Sequence, residues 1–328
     1  MTLPALADLR ASAHVVALPL RTRFRGIDTR EALLFQGPEG WSEFSPFVEY
    51  DDAEAATWLR AAIEFGWEQT PELLRTDVRV NATVPAVPAS AVAGVLARFP
   101  GCRTAKVKVA DAGQELADDV ARVAAVREAL GPEGRVRVDA NGRWNVDEAE
   151  HALNALAGFD LEYAEQPCAT VEELAELRER ISTYLDIPIA ADESVRKASD
   201  PLAVARAGAA DLVVIKAQPL GGIRAALAIV ADAGLPAVIS SALDTSVGIA
   251  MGAHLAACVP DLVFDCGLGT ASLLAADVTA DPLLPEHGSI PVRRVEADGG
   301  LLTRYAASAE RRDWWLERLA RSYALLEA

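Results

Sequence analysis

The sequence predicts an α/β protein built on a (β/α)8-type barrel, with an α+β capping domain formed by both ends of the chain. Three observations lead to this prediction. The 328 residues exceed the roughly 200–250 that a barrel domain needs. Short apolar segments alternate with helix-patterned segments between about residues 80 and 270, and the two flanks lack this alternation.

The central region contains eight apolar segments that we interpret as parallel strands. Several are followed by segments with apolar residues at helical spacing, as in 115–130, 146–156 and 222–234. The last strand has the weakest pattern. The eight predicted strands cover residues 78–84, 105–109, 136–141, 161–167, 188–194, 211–217, 236–242 and 261–267. Barrel sites lie at the C-terminal ends of the strands, so polar residues there are candidates for function.

The flanks, residues 1–80 and 285–328, have a different pattern. The N-terminal flank reads as strands in AHVVALPLRTRF and EALLFQGPEGWSEFS and as a helix in AEAATWLRAAIEFGW. The C-terminal flank reads as an amphipathic helix in RRDWWLERLARSYALL. Neither flank is large enough to bury its own core. We therefore expect them to form one cap over a catalytic barrel of residues 81–284.

Composition and charge narrow the class of protein. Hydrophobic residues make up 51% of the chain, as in ordinary globular proteins. The net charge of −17 would repel nucleic acid and anionic membrane surfaces, so we expect neither as a partner. The amino terminus lacks a signal-peptide pattern, and the longest uncharged stretch is too short and too polar for a membrane span. We expect a cytoplasmic protein that acts on a small molecule, and no feature indicates a protein partner.

Three acidic residues end consecutive predicted strands: Asp139, Glu165 and Asp192. Clustered carboxylates repel one another, and a hard divalent cation that takes oxygen ligands removes that cost. Mg²⁺ is the expected ion, and Mn²⁺ is possible. A single acid at such a position would be read as a helix cap or a surface ion-pair partner. Three at one barrel mouth favour a metal site.

Three lysines lie on the predicted strands that flank the acids. Lys106 and Lys108 share one face of the second strand, because side chains alternate along a strand. Lys216 ends the sixth strand, on the far side of the acids. A buried lysine needs a partner, so these residues are predicted to be catalytic groups facing the carboxylates. The alternative is a purely structural ion network or lysines that reach out to solvent.

Weaker signals indicate possible substrate contacts. Arg137 and Asn141 flank Asp139 on the same strand face, and Ser240 and Ser241 end the seventh strand. A serine in that position is also a common helix cap. Gly222 belongs to a Gly-Gly pair that shapes the sixth loop.

The motifs KVKV, VDAN, EQP, ADES and VIK, in that order on consecutive strands, resemble the muconate-lactonizing branch of the enolase superfamily. The resemblance covers essentially the whole chain. It implies a capped barrel in which lysines flank a substrate carboxylate bound to Mg²⁺. It also implies that Lys108 acts as the acid/base, that Lys216 supplies positive charge, and that Lys106 lowers the pKa of Lys108.

A finer similarity within the branch lies in LRTRFRGI (20–27), Arg137 and SSALDTSVG (240–248). It implies a hydro-lyase, specifically a Mg²⁺-dependent syn dehydration of a cyclohexadiene carboxylate in menaquinone biosynthesis through an enediolate. The arginine-rich segment, with Arg23, would then contact substrate.

Two alternatives use the same residues. An N-succinylamino acid racemase or dipeptide epimerase needs one acid/base on each face of the enolate, which Lys108 and Lys216 could supply. A Schiff-base aldolase could use Lys216 as its nucleophile, but the three acids would then have no role.

Overall fold

The computed structural model describes residues 3–196 and 200–327. Within them the strands are β1 His14–Phe24, β2 Ile27–Gly37, β3 Gly40–Phe44, β4 Asp77–Arg79, β5 Ala82–Val84, β6 Thr104–Lys108, β7 Arg135–Asp139, β8 Leu161–Glu165, β9 Ile189–Ala191, β10 Leu212–Ile215, β11 Ala237–Ile239 and β12 Ser289–Pro291. The α-helices are α1 Leu6–Ala11, α2 Asp52–Trp67, α3 Val92–Leu96, α4 Leu116–Leu130, α5 Val146–Leu156, α6 Val171–Ile181, α7 Glu193–Arg196, α8 Ala203–Arg206, α9 Ile223–Ala233, α10 Ser246–Cys258, α11 Gly299–Arg304 and α12 Ala309–Glu327.

A curled parallel sheet of seven strands forms the centre of the molecule. Its strands lie in sequence order from β5 to β11, and each pairs with the next along the chain. Helices α4, α5, α6 and α9 fall between successive strands, which is the predicted βα alternation. The helices predicted at 115–130, 146–156 and 222–234 are confirmed to within one residue at each end.

The eighth predicted strand, over residues 261–267, is wrong as a strand. The structure has only two single-residue bridges there, Cys266 with Val80 and Gly267 with Ser240, which link the two edges of the curled sheet. The segment is held by side chains instead. The Asp265 carboxylate accepts a hydrogen bond from Thr104 Oγ1 at 2.6 Å and lies 2.8 Å from Arg79 Nε.

The first predicted strand, over residues 78–84, is split in two. Residues 77–79 form β4, which pairs antiparallel with β12, and residues 82–84 form β5, which pairs with β6. Asn81 lies between the two halves, where its Nδ2 donates to Ala82 O. A buried asparagine satisfied in this way interrupts the ladder, which the apolar pattern of its neighbours concealed.

Helix boundaries follow local capping chemistry. Asn145 and Glu148 form a reciprocal capping box at the start of α5, and Thr170 and Glu173 do the same for α6. Gly131, with a φ of 71°, ends α4. These signals explain why the helical segments could be predicted accurately.

Both ends of the chain contribute to a second hydrophobic core beside the sheet. Phe35 and Phe44 of the antiparallel sheet β1–β2–β3 pack with Trp58 of α2 and with Trp315 and Leu319 of α12. A further link is Arg318 of α12, which donates to three backbone carbonyls in residues 46–50. The division into a two-ended cap and a barrel at residues 80 and 285 stays a prediction. Among the described helices, none combines the length and apolar character needed to cross a membrane.

Candidate active site

A pocket opens at the C-terminal ends of the central strands. The antiparallel sheet and its following loop contribute Phe24, Arg25, Phe47 and Tyr50 to its wall. The strands and loops of the central sheet contribute the charged and polar groups. These are Thr83, Lys106, Lys108, Asp139, Asn141, Asp192, Glu193, Arg196, Lys216, Ser240, Ser241 and Thr270. We call this the central pocket.

Lys106 lies between two of the predicted metal ligands. Its Nζ is 2.7 Å and 2.8 Å from the two carboxylate oxygens of Glu165 and 3.1 Å from Asp139 Oδ2. All three side chains are almost fully buried. Burial alone would lower the pKa of Lys106, but Glu165 and Asp139 raise it well above its usual value. Lys106 is therefore held as an ammonium ion.

Lys108 extends from the same strand face and reaches further into the pocket. Its Nζ donates to Asp139 Oδ2 at 2.5 Å and to Asn141 Oδ1 at 2.8 Å. Burial lowers the pKa of Lys108 below its usual value, despite the opposing effect of Asp139. The two lysines of this strand therefore differ. Lys108 loses its proton more readily than Lys106, as a general base must.

Lys216 faces these groups from the other side of the acids. It follows β10, whereas Lys108 ends β6, so β7, β8 and β9 with their acids lie between them in the sheet. Lys216 Nζ donates to Asp192 Oδ2. Arg196 Nε donates to the other oxygen of that carboxylate at 3.2 Å.

The three carboxylates differ in their electrostatic state. Burial, and after it the neighbouring Asp139, raise the pKa of Glu165 to about 7. Burial would also raise the pKa values of Asp139 and Asp192. For Asp139, the ammonium groups of Lys108 and Lys106 instead lower the pKa below its usual value. For Asp192, Lys216 and Arg196 have the same effect. Three buried carboxylates in one cluster depend on nearby positive charge.

The oxygen-only donor set suits a hard divalent cation. Among residues 3–196 and 200–327, however, no three His, Cys, Asp or Glu side chains stand arranged to hold a metal ion. The ammonium groups of Lys106, Lys108 and Lys216 contact oxygens of the three proposed ligands. Burial and, second to it, the negative charge of Asp139 raise the pKa of Glu165, and a bound cation would oppose both effects. The residues thus fit a metal chemically, after rearrangement of the lysine contacts.

Gln166 positions Asp192, the third of the predicted metal ligands. The sequence did not reveal this role. Its Oε1 accepts hydrogen bonds from Asp192 N at 2.9 Å and Ser194 N at 3.1 Å. Its Nε2 donates to Ser194 Oγ at 2.6 Å and to Cys168 O at 2.9 Å. Gln166 has a φ of 39°, a left-handed conformation that is uncommon for a residue with a side chain. The EQP motif therefore supplies one candidate ligand and the support of the next.

Arg137 does not line the central pocket. It lies two residues before Asp139 on the same strand face and is fully buried among other groups of the sheet interior. Its guanidinium donates to Glu162 Oε2, to Asn81 Oδ1 and to Asp265 O. These contacts tie β7 to both edges of the curled sheet, and they replace the expected substrate contact.

Gly222 and Arg23 also lie outside the central pocket. Gly222, with a φ of 122°, precedes α9, and a Cβ there would lie 2.0 Å from Glu64 Oε2 of α2. The Glu64 side chain could move aside, but a φ of 122° is rarely adopted by a residue with a side chain, and this explains the glycine. Arg23 pairs with Asp28 at 3.2 Å on the surface, and it lines an outer groove that leads to Lys108.

Asn141, Ser240 and Ser241 do line the central pocket. Ser241 Oγ donates to Gly267 O at 2.7 Å and lies 2.8 Å from Thr270 Oγ1. The end of β11 is thus joined to the segment 261–267, which was predicted to be the eighth strand.

Several pocket residues were missed by the sequence analysis. Arg196 donates to Glu193 Oε1 at 2.7 Å and to Tyr50 Oη at 3.2 Å, and Asn141 Nδ2 donates to the same Glu193 oxygen at 3.2 Å. The four-residue spacing of Asp192 and Arg196 on one helical turn was the available signal. Tyr50 comes from distant sequence, and no local pattern marks it. Arg25, by contrast, belongs to the arginine-rich segment 20–27 that was expected to contact substrate, and it lines the central pocket.

Comparisons with known proteins agree with this geometry. Residues 90–300 match the family described as "Enolase C-terminal domain-like", and residues 15–66 match "Enolase N-terminal domain-like". The o-succinylbenzoate synthase of Mycobacterium marinum is 56% identical over 98% of this chain and 96% of its own length. That of Mycolicibacterium smegmatis is 55% identical over 98% of each chain. The chain belongs to the enolase superfamily and, within it, to the family of these synthases.

A solved structure supports the fold. The muconate lactonizing enzyme from Pseudomonas fluorescens, complexed with muconolactone, superposes with a TM-score of 0.77 at 20% identity. The alignment covers 90% of this chain and 98% of that one. Membership of the superfamily confirms the predicted resemblance and makes the chain an enzyme whose family is generally dependent on a divalent metal. The aldolase alternative has no support from these relatives.

Proposed function

We propose that the chain is an o-succinylbenzoate synthase, which removes water from the cyclohexadiene carboxylate SHCHC to form o-succinylbenzoate in menaquinone biosynthesis. The relatives at 55–56% identity support this activity. The structural observation that carries it is the position of Lys108, whose Nζ lies in the central pocket beside Asp139 and Asn141. A single amine so placed can serve both proton transfers of a syn elimination on one face of the substrate.

The proposed reaction starts with the neutral amine of Lys108. It takes the proton from the carbon next to the substrate carboxylate, and the electrons of that C–H bond move toward the carboxylate. The resulting ammonium of Lys108 then gives the proton to the departing hydroxyl on the same face. The C–O bond breaks, a carbon–carbon double bond forms, and water leaves. General acid–base catalysis of this kind typically contributes about 10²–10⁴ in rate.

The other charged residues would stabilise the negative charge that develops on the substrate. Lys216 places an ammonium on the opposite side of the acids, and Lys106 stays charged beside Glu165. Asp139, Glu165 and Asp192 are the proposed holders of Mg²⁺, with Mn²⁺ possible. When bound, the ion would supply positive charge to the substrate carboxylate. Charge stabilisation at such sites is usually the largest contribution to catalysis.

The proposed substrate contacts are the polar groups of the central pocket. Asn141, Ser240 and Ser241 line the pocket, which supports their proposed role as substrate contacts. Arg137, Gly222 and Arg23 are not among the proposed substrate contacts. Arg137 binds Asn81 and Gly222 lies against Glu64, both outside the central pocket. Arg23 lines the outer groove that leads to Lys108.

Direct assay tests the proposal. Purified enzyme with Mg²⁺ should convert SHCHC to o-succinylbenzoate, detected by NMR of the aromatic product, and chelation with EDTA should stop the conversion. Enzyme that binds Mg²⁺ but leaves SHCHC unchanged would overturn the proposed function.

Racemisation of N-succinyl amino acids is the second candidate. The observation that favours it is the presence of Lys108 and Lys216 on opposite sides of the acids, one for each face of an enolate. The same preparation should be assayed for loss of optical rotation of N-succinyl amino acids. Racemisation without dehydration would favour this second function.

A further inference from the structure

A second groove lies apart from the central pocket and shares no lining residue with it. It measures about 600 Å³, within the range of ligand-binding clefts. Its walls are Arg21 of β1, Arg98 after α3, the segment 271–284, and Leu301 and Tyr305 at α11. We call it the second groove. None of the reaction groups described above reaches it.

Two polar groups of the second groove are buried without partners. Arg98 NH1 and Ser272 Oγ have no hydrogen-bond partner in the part of the chain that the structure describes. Ser272 is only 5% exposed. Leaving a buried donor unpaired is costly, and a guanidinium nitrogen can only donate. These two donors therefore call for an acceptor that comes from outside the chain.

The charge of the lining favours an anion. Arg21 stands at the exposed rim, and together with Arg98 it gives two positive charges. Asp277 is the one acid among the described lining residues, and it is already engaged. Its carboxylate accepts hydrogen bonds from Ser246 N, Ser246 Oγ and Val278 N at the start of α10. These donors are neutral, so Asp277 keeps its charge, and with the two arginines it leaves the described lining with a net positive charge.

Most of the remaining lining is apolar. Leu274, Leu301 and Tyr305 form a wall, and Leu284 at the edge is 41% exposed. A ligand with a carboxylate at one end and an apolar body would satisfy both parts of the surface. We propose that the second groove binds an amphipathic carboxylate, with the anionic end at Arg98 and Ser272 and the apolar body along Leu274 and Tyr305.

The second groove is joined to the central pocket by short connections. Ser272 and Thr270 belong to one 3-10 turn, Thr270–Leu273, and Thr270 Oγ1 lies 2.8 Å from Ser241 Oγ of the central pocket. Leu274 bridges to Leu20 of β1, the strand that ends at Phe24 in the pocket wall. Residues 270–274 therefore contribute side chains to the lining of both sites.

Titration with 4-phenylbutyrate, followed by calorimetry on the metal-loaded enzyme, tests this binding site. Wild-type protein should bind the probe saturably, and 4-phenylbutanol, which lacks the charge, should bind at least about tenfold more weakly. Ser272→Ala should weaken binding of the acid several-fold, while the unliganded variant stays as stable as wild type because an unpaired buried group is removed. Arg98→Ala should weaken binding at least about tenfold, with Arg98→Lys as the variant that keeps the charge.

Asn141→Ala, in the central pocket, serves as the control and should leave binding of 4-phenylbutyrate unchanged. Absence of saturable binding would overturn the proposal, as would equal affinity for the alcohol. Binding that is lost in Asn141→Ala but kept in Ser272→Ala and Arg98→Ala would assign the probe to the central pocket. Because 4-phenylbutyrate shares an aryl ring and a four-carbon acid chain with o-succinylbenzoate, a second binding event that only Asn141→Ala removes is assigned to the central pocket. The proposal is judged on the event that Ser272→Ala and Arg98→Ala weaken.

Discussion

The central pocket and the junction behind its wall both bury a glutamate whose pKa is raised to about 7. At the pocket this residue is Glu165, and burial and Asp139 raise its pKa. At the junction between β3 and α10 it is Glu43, and burial and Asp244 raise its pKa. Each site also buries a cation, Lys106 or Arg30.

The two sites differ in what holds the carboxylate. Glu43 accepts hydrogen bonds from Ser45 Oγ, Thr245 Oγ1, Thr245 N and Gly248 N. Backbone donors and short side chains have fixed positions, so this network is rigid. Glu165 is held by Lys106, a long side chain with rotatable bonds. The comparison teaches that similar buried charge can stabilise a fold or remain available for a ligand, according to the donors that surround it.

Arg30 completes the junction. Its Nε donates to Leu243 O at 3.1 Å, and its NH2 donates to the backbone oxygen and to Oγ of Ser45. Leu243 lines the central pocket. The junction thus fixes the loop that forms one wall of the pocket while taking no part in the chemistry.

The largest expected effect is a loss of activity without a loss of stability when a residue of the central pocket is changed. Lys108→Met should lower the dehydration rate at least about 100-fold, because the proton-transfer group is gone. Its free energy of unfolding should change by at most about 1 kcal/mol, since Asp139 keeps Lys106 as a partner. Steady-state kinetics and urea denaturation of one preparation measure both quantities. A variant that unfolds while keeping its rate per folded molecule would reverse the roles of the two sites.

Arg30→Met should have the opposite profile. It leaves Glu43 and Asp244 buried without their cation and the Ser45 carbonyl without a donor, so unfolding should become easier by about 3–5 kcal/mol. The molecules that remain folded should keep most of their kcat. Urea denaturation measures the loss. Arg23→Met, a surface change on the same sheet, is the matched control and should change stability by less than about 0.5 kcal/mol.

The pH dependence of stability sharpens the comparison. The pKa of Glu43 is raised in the folded state, so the folded protein binds more protons than the unfolded chain between about pH 4.5 and pH 7. The contribution of Glu43 to the free energy of unfolding is therefore present at low pH and is lost as the pH rises to about 7. The loss is at most about 3 kcal/mol. Urea denaturation at pH 5 and pH 8 should show that Glu43→Gln removes this loss.

Glu31 provides the control for that measurement. Burial opposes ionisation of Glu31, but hydrogen bonds from Arg311 and Trp315 lower its pKa below the usual value. Its contribution is therefore complete above the unfolded pKa and is lost only in acid. Glu31→Gln should leave the change between pH 5 and pH 8 as in wild type. An equal effect of both variants would contradict the assignment to Glu43.

The smallest expected effect is that of Ser241→Ala. Ser241 Oγ already bonds to Gly267 O and Thr270 Oγ1, so its loss removes two neutral hydrogen bonds at the pocket wall. Such a bond contributes about 0.5–1.5 kcal/mol, which corresponds to a rise in KM of roughly two- to tenfold. kcat should stay close to wild type in initial-rate assays. A fall in kcat with unchanged KM would place this serine among the groups that act in the transition state.

Much of the site could be predicted from the alternation of side chains along strands and from the regular βα spacing. Lys106 and Lys108 share a face because side chains alternate, and both Nζ atoms reach Asp139 Oδ2. Alternation gives the face of a strand but not the depth along it. Arg137 therefore seemed equivalent to Asp139, although it lies one layer deeper and contacts Asn81 and Asp265.

Contacts between distant segments could not be predicted from local patterns. The Glu64 carboxylate of α2 lies against the backbone at Gly222, and nothing near Gly222 in sequence records that approach. Tyr50 accepts a hydrogen bond from Arg196 at the pocket wall, although the two residues are far apart in sequence. The segment 261–267 reads as a strand because it is apolar, yet only two of its residues form bridges. Burial and strand pairing give similar apolar patterns in so short a segment.

The central claim is that Lys108 moves the proton whereas Lys216 contributes charge. ¹H NMR of SHCHC in D₂O, with Lys108→Ala and Lys216→Arg side by side, tests it most directly. Arginine keeps the charge at position 216 but cannot act as a base. We expect Lys216→Arg to retain exchange of the proton next to the carboxylate and some dehydration, and Lys108→Ala to lose both. Exchange that survives in Lys108→Ala and disappears in Lys216→Arg would contradict the account.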